Sequence, residues 1–479
     1  MHDLLIRNGT AVTETGIHEL DVAIDGEVIS AHYPRGTAET GAAREIDAQG
    51  MLVLPGGIDP HVHYEIRGSH NTVVSETADN SIAAAFGGNT SVVDFAFHEN
   101  EATVHEAVEV RRAKLDGRMA LDYGLHVILT GSPTFEHIEE IADLVRAGYP
   151  TFKTIMTYRW FMDDGHRFGV MSAVAEAGGM SLVHAEDDAI MRWLTAKYDR
   201  EGKTHGAYVS ETRGSLVEEA AVRRALLLAE RSGSPLYVLH VAAAAAVDAL
   251  AESRARGFPA YGETLAAYLS FTQDDLWDRE PITINGTTYA DRGLLYNNYP
   301  VPKAPTDRAA IWAGIAENRL QVVSSDHFLA KAVDRYTKQG ITIHSMQSGQ
   351  AAVELRIPVL YTLGVTTGRI SLSRFVELIS TNPAKLMGLY PRKGTLAVGS
   401  DADVLIFDPN FRRTVRVEDL HMETDYSCWA GWDLAGIADT VLLRGRPLIE
   451  AREAAGPRGD GRFVERSILP TYLRQPVGL

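Results

Sequence analysis

Two histidines, His61 and His63, lie two residues apart in the motif GIDPHVH (57–63), which follows the apolar run 51–54. Side chains two apart along a strand point the same way, so both imidazoles could bind one ion. Neutral imidazole is a usual nitrogen ligand of zinc. The pair alone does not specify a metal, because His-x-His also occurs in polar loops.

Three further candidate ligands, His184, His240 and Asp326, each end a short apolar run. In a parallel barrel, residues at the carboxyl ends of different strands converge on one mouth, where active sites lie. One histidine after an apolar strand is usually structural. Four histidines and one aspartate at the ends of four strands predict a shared metal site.

Lys153 lies inside the apolar segment 149–156. A buried lysine is rare and costly unless it is paired. The alternative is a lysine on an edge segment whose ammonium reaches solvent. If Lys153 instead points into the mouth, a lowered pKa would let its neutral amine react with CO2. The resulting carbamate is an anionic ligand with two oxygens that can bridge two cations.

The elements that must position these residues alternate between strand-like and helix-like runs from about residue 52 to 389. Such repeats predict a parallel (β/α)8 barrel. The predicted strands are 91–95, 123–128, 151–156, 181–184, 236–240, 260–263 and 321–325. The clearest amphipathic helices are 136–147, 216–231 and 307–318.

The two ends of the chain are rich in short strand-like runs, with tight-turn pairs such as Asn8-Gly9 and Asp25-Gly26. The later runs are 394–398, 402–407, 414–417 and 439–444. We therefore expect an α/β protein whose TIM-like barrel, residues 56–389, is inserted between the two halves of a small β-sandwich domain, residues 1–55 and 390–454. The tail 455–479 is either a loose end or an oligomer contact.

The composition excludes several classes of protein. A formal net charge of −17 argues against nucleic acid as a partner, because phosphates would be repelled. The single cysteine, Cys428, cannot form an internal disulfide, and any metal must be held by histidine, by carboxylate or by an unusual ligand. The amino terminus lacks the pattern of a signal peptide, and no apolar run approaches the roughly 18 residues of a membrane span. We expect a cytoplasmic protein without a membrane partner.

The order His-x-His, Lys, His, His, Asp is similar to that of the binuclear amidohydrolase superfamily. The chain resembles its cyclic amidase group, which contains dihydropyrimidinase, hydantoinase and allantoinase, over nearly its whole length. Together the motifs are specific, although one alone would not be. They are LPGGID (54–59), FK (152–153), VHAE (183–186), VLHV (238–241), SDH (325–327), NPAKL (382–386), KGTL (393–396) and GSDAD (399–403).

The resemblance implies two divalent metal ions in this chain. His61, His63 and Asp326 would hold the more buried ion, and His184 and His240 the more exposed one. Zinc is the default for a site rich in histidine, and manganese or cobalt could substitute.

The resemblance also implies roles in catalysis. A carbamate on Lys153 would bridge both ions, as would a hydroxide that attacks the amide carbon. Asp326 would take the proton of the hydroxide and deliver it to the leaving nitrogen. Tyr158 would donate a hydrogen bond to the developing oxyanion, the alternative being simple packing in its loop.

Three departures from the family pattern bear on the substrate. Glu65 stands where dihydroorotases usually carry an arginine for a carboxylate. Residues 297–303 read NNYPVPK where hydantoinases often have Pro-Pro-Leu-Arg. A later asparagine that contacts the ring in many relatives is replaced near Ser348. We expect Tyr158, Asn298 and Ser348 to contact the substrate, and the identity of the ring stays open.

Segments 64–74, 96–103 and 157–167 are predicted to shape the pocket. An apolar group in the third segment would either hold a bulky ring substituent or be covered by another subunit. Its members are Tyr158, Trp160, Phe161 and Met162.

The sequence thus predicts a hydrolase that opens the amide bond of a small cyclic amide. Allantoin hydrolysis, or hydrolysis of another ring, of an exocyclic amide or of an amidine, is an alternative. Another alternative is a non-catalytic scaffold of the dihydropyrimidinase type, and the six filled ligand positions argue against it. The resemblance further implies a homotetramer or a homodimer.

Overall fold

The chain begins with short strands that enter two different sheets. The structure, a computed structural model, describes residues 1–38, 41–66, 76–99, 102–336, 341–456 and 459–476. The first strands are β1 His2–Arg7, β2 Thr10–Thr13, β3 Gly16–His18, β4 Leu20–Asp25, β5 Val28–Pro34, β6 Ala42–Asp47 and β7 Leu52–Pro55. Strands β5, β4, β1 and β6 pair in that order to form a four-stranded sheet.

The central part of the chain forms an eight-stranded parallel sheet, in the order β8 to β14 and then β17. The strands of this part are β8 Gly57–Asp59, β9 Asn89–His98, β10 Asp122–Leu129, β11 Thr151–Ile155, β12 Met180–His184, β13 Leu236–Val238, β14 Ala260–Leu265, β15 Ile282–Ile284, β16 Thr287–Tyr289 and β17 Val322–Ser324. Strands β15 and β16 form a separate hairpin. Parallel strands that are covered on both faces consist mainly of apolar residues. Such apolar runs indicated these strands in the sequence.

The parallel sheet closes into a barrel just beyond the ends of β8 and β17. The backbone N–H of His63 donates to the carbonyl of His327 at 2.9 Å, and that of His327 donates to the carbonyl of His61 at 3.3 Å. The N–H of Ser325 donates to Oδ1 of Asp59 at 3.2 Å. The first and last strands of the barrel therefore meet at the segments that carry the predicted ligands.

Helices surround the barrel. They are α1 Ile82–Phe86, α2 Val104–Leu115, α3 Phe135–Glu139, α4 Ile141–Arg146, α5 Asp164–Ala177, α6 Asp188–Arg200, α7 Val209–Thr212, α8 Ser215–Ser232, α9 Ala244–Ala255, α10 Ala266–Ser270, α11 Pro305–Ala316, α12 Ala332–Arg335, α13 Arg356–Leu360, α14 Leu372–Val376, α15 Asn382–Met387 and α16 Pro470–Arg474. The helix predicted over 136–147 is interrupted at Glu140, whose carboxylate accepts a hydrogen bond from the N–H of His105 at 2.9 Å. Within the described residues, every helix is too short or too polar to cross a bilayer.

The late strands join some of the first strands in a second sheet. They are β18 Val404–Thr414, β19 Asp433–Leu443, β20 Arg446–Glu450 and β21 Glu453–Ala454. The sheet runs β21-β20-β19-β18-β7-β2-β3, so both ends of the chain contribute to it. This confirms the predicted fold class, with the barrel between two β-rich parts. The domain boundaries after residues 55, 389 and 454 stay a prediction.

The strand predicted over 394–398 is wrong, because this segment forms a turn. Gly394 and Gly399 have φ angles of +81° and +93°, which are outside the extended region. The N–H of Gly399 donates to the carbonyl of Ile29 at 2.8 Å. Within the segment, the carbonyl of Leu396 lies 2.8 Å from Nε2 of His32, so it contacts β5 without adding a strand.

Residues 459–476 of the tail pack against the amino-terminal end of the barrel of the same chain. The N–H of Val464 donates to the carbonyl of Tyr123 at 2.8 Å. The buried guanidinium of Arg466 donates to Oγ1 of Thr151 at 2.9 Å and to the carbonyl of Met387 at 3.0 Å. Burial lowers the pKa of Arg466 to about 9. A contact of the tail with a neighbouring subunit stays a prediction.

A buried lysine joins the barrel to the β-rich part. Nζ of Lys393 lies 2.7 Å from a carboxylate oxygen of Asp122, at the start of β10, and 2.7 Å from one of Asp403, just before β18. A third carboxylate, that of Asp401, is 2.9 Å away. Burial alone would lower the pKa of Lys393, but the charges of Asp403 and Asp122 outweigh burial and raise it.

We predict that Lys393→Met lowers the free energy of unfolding by about 3–5 kcal/mol, because it leaves the buried carboxylate of Asp403 without its cation and that of Asp122 with Arg444 alone. The neighbouring Arg392→Ala, which removes a half-exposed pair with Asp401, should cost less than about 1 kcal/mol. Urea denaturation of both variants measures the difference. A loss for Lys393→Met no larger than that for Arg392→Ala would contradict the structural role of this cluster.

Candidate metal centre

A cleft of about 690 Å³, open to solvent, lies at the carboxyl ends of the barrel strands. Its walls include every side chain that the sequence predicted for the site. These are His61, His63, Lys153, Tyr158, His184, His240, Asn298, Asp326 and Ser348. The structure therefore brings the predicted residues together, while their individual roles stay predictions.

One group of ligands surrounds the carboxylate of Asp326. Its Oδ1 lies 3.1 Å from Nε2 of His61 and 3.3 Å from Nε2 of His63. Burial lowers the pKa of His63 to about 4, so its imidazole is neutral and able to bind a cation. Burial alone would raise the pKa of Asp326, but His61 and His63 lower it far below the usual value.

The second group consists of His184 and His240, at the ends of β12 and β13. Nδ1 of His184 lies 2.9 Å from Nε2 of His240. Two nitrogen ligands of a tetrahedral zinc ion lie about 3.3 Å apart, so this pair is close to that spacing. Burial lowers the pKa of both imidazoles. The other nitrogen of His184, Nε2, lies 2.9 Å from Oε2 of Glu186.

Lys153 occupies the middle of β11, which pairs with strands on both sides. The alternative of an edge lysine that reaches solvent is therefore wrong. The side chain is buried, and Nζ lies 4.2 Å from the ring centroid of Phe95. Burial lowers the pKa of Lys153 to about 8, against the opposing charges of Asp326 and Glu263. A substantial fraction of the amine is thus neutral near pH 8.

The donor set fits a divalent metal ion. Nε2 of His61 is buried and has no hydrogen-bond partner among the described residues, although it faces the Asp326 carboxylate. Ligand atoms of His61, His63 and Asp326 all lie within 4.8 Å of one another. Imidazole nitrogen and carboxylate oxygen together suit zinc, manganese or cobalt. These observations favour metal coordination over a purely structural polar cluster.

Sequence reasoning missed Glu263 on β14. Its Oε1 lies 2.5 Å from Nδ1 of His61 and accepts the backbone N–H of His240 at 3.2 Å, while Oε2 accepts the hydroxyl of Tyr237 at 2.9 Å. A carboxylate that holds one imidazole nitrogen leaves the other free for a metal. The available signal was a glutamate inside a buried apolar strand, where a charge is costly.

Tyr158 follows β11 and leans over His184, with 5.1 Å between the ring centroids. Its hydroxyl donates to Oε2 of Glu186 at 3.2 Å and accepts from Nη1 of Arg213 at 3.1 Å. Burial raises the pKa of Tyr158 well above its usual value. The phenol therefore keeps its proton and remains a hydrogen-bond donor.

Three of the predicted site residues have left-handed backbone conformations. The φ angles are +63° for Tyr158, +39° for His240 and +46° for Asp326. Non-glycine residues adopt this region at a cost, and such strain is concentrated at functional sites. In each case the strained residue follows the end of a barrel strand.

Asn298 and Ser348 lie next to the ligands. Nδ2 of Asn298 donates to Oδ2 of Asp326 at 3.1 Å, and Oγ of Ser348 donates to Oδ1 of Asn298 at 3.2 Å. The other walls of the cleft are largely apolar, formed by Ile66, Phe97, Ile155, Trp160, Tyr299 and Phe328.

The three segments predicted to shape the pocket each contribute one or more wall residues. These include Ile66, Phe97 and Trp160, although residues 67–74 and 100–101 of those segments lie outside the described residues. Phe161 is partly exposed outside the cleft wall, and Met162 is buried. The apolar group of the third segment is thus divided, with only Tyr158 and Trp160 facing the cleft.

Comparison with known proteins gives consistent results. The model of the Amidohydrolase family matches residues 52–448. The D-hydantoinase of Rhizobium radiobacter is 36% identical over 468 residues, 97% of this chain and 99% of that protein. The crystal structure of dihydropyrimidinase from Brevibacillus agri NCHU1002 has a TM-score of 0.90 at 34% identity, covering 97% and 98% of the two chains. The D-hydantoinase from a Bacillus sp. AR9 has a TM-score of 0.91 at 34% identity, covering 97% and 99%.

The barrel and the polar cluster at its mouth define a hydrolase of the amidohydrolase type. The chain belongs to the amidohydrolase family. Within that family it is similar to hydantoinases and dihydropyrimidinases, which confirms the resemblance found in the sequence motifs. The family implies a divalent metal site, and His61, His63 and Asp326 form the group that fits it.

We predict that Glu263→Gln weakens metal binding about 10- to 100-fold, because His61 loses the carboxylate that orients it. Equilibrium dialysis against a competing chelator, followed by elemental analysis, measures the affinity. Glu219→Gln, on the outer helix α8, is the matched control and should bind metal like the unaltered protein. Equal affinities for the Glu263 and Glu219 variants would show that Glu263 does not orient a ligand.

Proposed function

We propose that the protein uses two divalent metal ions to hydrolyse the amide bond of a cyclic amide such as a hydantoin or a dihydropyrimidine. The observation that carries the proposal is the convergence of two ligand groups on one cleft beside a buried lysine and a tyrosine hydroxyl. The names of the similar proteins, D-hydantoinase and dihydropyrimidinase, support the same substrate class.

The ligands divide between two ions. His61, His63 and Asp326 would hold one, and His184 and His240 the other. Two bound cations would supply Lewis acidity and lower the pKa of a shared water. The histidine-rich donor set favours zinc.

Lys153 would complete the site as a carbamate. The neutral amine nitrogen attacks the carbon of CO2 and releases one proton, which leaves an N-carboxylate with a single negative charge. The pKa of about 8 and the burial of the side chain support this step, because both favour the uncharged amine. The carbamate would add one negative charge and two oxygen donors to the site.

Asp326 would transfer the proton, and Tyr158 would stabilise the oxyanion. The Asp326 carboxylate would accept a proton from the attacking water and return it to the leaving ring nitrogen. The Tyr158 hydroxyl would donate to the carbonyl oxygen as negative charge develops there. Asn298 and Ser348, hydrogen-bonded to each other beside Asp326, offer an amide and a hydroxyl to the polar edge of the ring.

The alternatives are less well supported. A non-catalytic scaffold would not need six ligand side chains, all of them at the cleft wall. Exocyclic amides and amidines find no support in the names of the similar proteins. The cytoplasmic location and the homotetrameric or homodimeric state stay predictions.

We predict that the purified protein opens at least one ring among hydantoin, 5,6-dihydrouracil, allantoin and succinimide. Removal of the metal by a chelator should abolish hydrolysis, and added Zn²⁺ should restore it, because the nucleophilic water needs a lowered pKa. Ring opening is followed by loss of ultraviolet absorbance or by chromatography, with an open-chain amide as the comparison substrate. Full activity after complete metal removal would contradict the proposal.

A further inference from the structure

One carboxylate oxygen links three groups at the edge of the candidate metal centre. Oε2 of the fully buried Glu186 lies 2.9 Å from Nε2 of His184, 3.2 Å from the Tyr158 hydroxyl and 2.5 Å from Nη1 of Arg213. Hydrogen bonds to an ionised acceptor are among the strong ones. Glu186 therefore connects an imidazole of the second ligand group with the tyrosine that faces the cleft.

The guanidinium of Arg213, which follows helix α7, contacts Glu186, Tyr158 and Tyr299. Its Cζ atom lies 3.9 Å from the ring centroid of Tyr299 and 4.9 Å from that of Tyr158. Nη1 donates to the phenol oxygen of Tyr158 at 3.1 Å as well as to Glu186. A planar guanidinium can stack on aromatic rings and donate in its own plane, which a lysine cannot do.

The contacts of Tyr158 set the direction of its O–H bond before a substrate binds. Arg213 donates into the phenol oxygen, so the hydroxyl proton points to Glu186. A donor into a hydroxyl oxygen also strengthens the hydrogen bond that this hydroxyl gives. To donate to a carbonyl oxygen in the cleft, the hydroxyl proton would rotate about the C–O bond away from Glu186, while Arg213 keeps its hydrogen bond to the phenol oxygen.

We propose that Arg213 and Glu186 form a positioning pair. The pair fixes the position of the Tyr158 hydroxyl oxygen relative to Nδ1 of His184. Glu186 holds His184 so that Nδ1 faces His240, and Arg213 holds the phenol oxygen of Tyr158 in place while its proton turns from Glu186 to the substrate. Neither member of the pair needs to touch the substrate. The inference rests on the proposed function, in which Tyr158 is the oxyanion donor.

A double-mutant cycle between Arg213 and Tyr158 tests the pair on the metal-loaded enzyme. Tyr158→Phe should lower kcat about 10²- to 10³-fold, as expected for the loss of one oxyanion donor. Arg213→Lys should lower kcat about 10-fold or more with little change in KM, because the ground-state contacts remain. In the Tyr158→Phe background, Arg213→Lys should have almost no further effect, since its partner is already absent.

The control is Arg224→Lys. Arg224 forms an ion pair at 2.9 Å with Asp187, the residue after Glu186, on the outer side of the barrel. It is matched to Arg213 in charge and in pairing with a carboxylate, and its replacement should leave kcat unchanged. If Arg213→Lys does not fold, the double variant Arg213→Met with Glu186→Gln takes its place in the cycle. The double variant removes both buried charges together.

Two further measurements do not depend on activity. Glu186→Gln should retain less metal than Arg224→Lys after dialysis against a chelator, by about 10-fold in affinity, because His184 loses its orienting carboxylate. Crystal structures should show the Tyr158 hydroxyl displaced from Glu186 in Arg213→Lys and unmoved in Arg224→Lys.

Additive losses of kcat in the cycle, or an unmoved Tyr158 hydroxyl in Arg213→Lys, would overturn the positioning pair. If the unaltered enzyme opens no cyclic amide, the proposed function fails. The crystal structures and the metal retention of Glu186→Gln would then still decide between the pair and a purely structural role.

Discussion

The closure of the barrel between its first and last strands is the constraint on which the site depends. The backbone bonds between His327 and the segment from His61 to His63 leave little freedom for the side chains on either side. Asp326 must then face both imidazoles, as the distances of 3.1 and 3.3 Å show. The remaining ligands reach the same cleft because parallel strands all end at one edge.

Burial then determines the chemistry of the ligands. Removed from water, imidazoles lose affinity for protons, and the pKa of His63 falls to about 4. The same effect lowers the pKa of Lys153 to about 8. Two carboxylates outside the ligand groups, Glu263 and Glu186, hold His61 and His184 by their other nitrogens. Neutral, oriented nitrogen donors around a carboxylate are what a divalent cation requires.

The sequence pattern was sufficient for the barrel and for the histidine and aspartate ligands, because apolar runs that end in polar residues indicate parallel strands directly. Tyr158, Asn298 and Ser348 came instead from the resemblance to cyclic amidases. The sequence did not predict residues whose roles depend on contacts between distant segments of the chain. Arg213 and Glu186 are 27 residues apart, and no periodic pattern relates them. The turn at 394–398 was mistaken for a strand, since its apolar residues gave no sign of the left-handed conformation at Gly394. Bridging by Lys153 and the boundaries of the domains stay predictions.

The central claim is that two divalent ions bind at the cleft, bridged by a modified Lys153. Anomalous X-ray diffraction from crystals of protein prepared without chelator tests it most directly. We predict two anomalous peaks, one beside His61 and His63 and one between His184 and His240, with extra density on Nζ of Lys153. A single peak, or an unmodified Lys153 in crystals grown with metal and bicarbonate, would contradict the account.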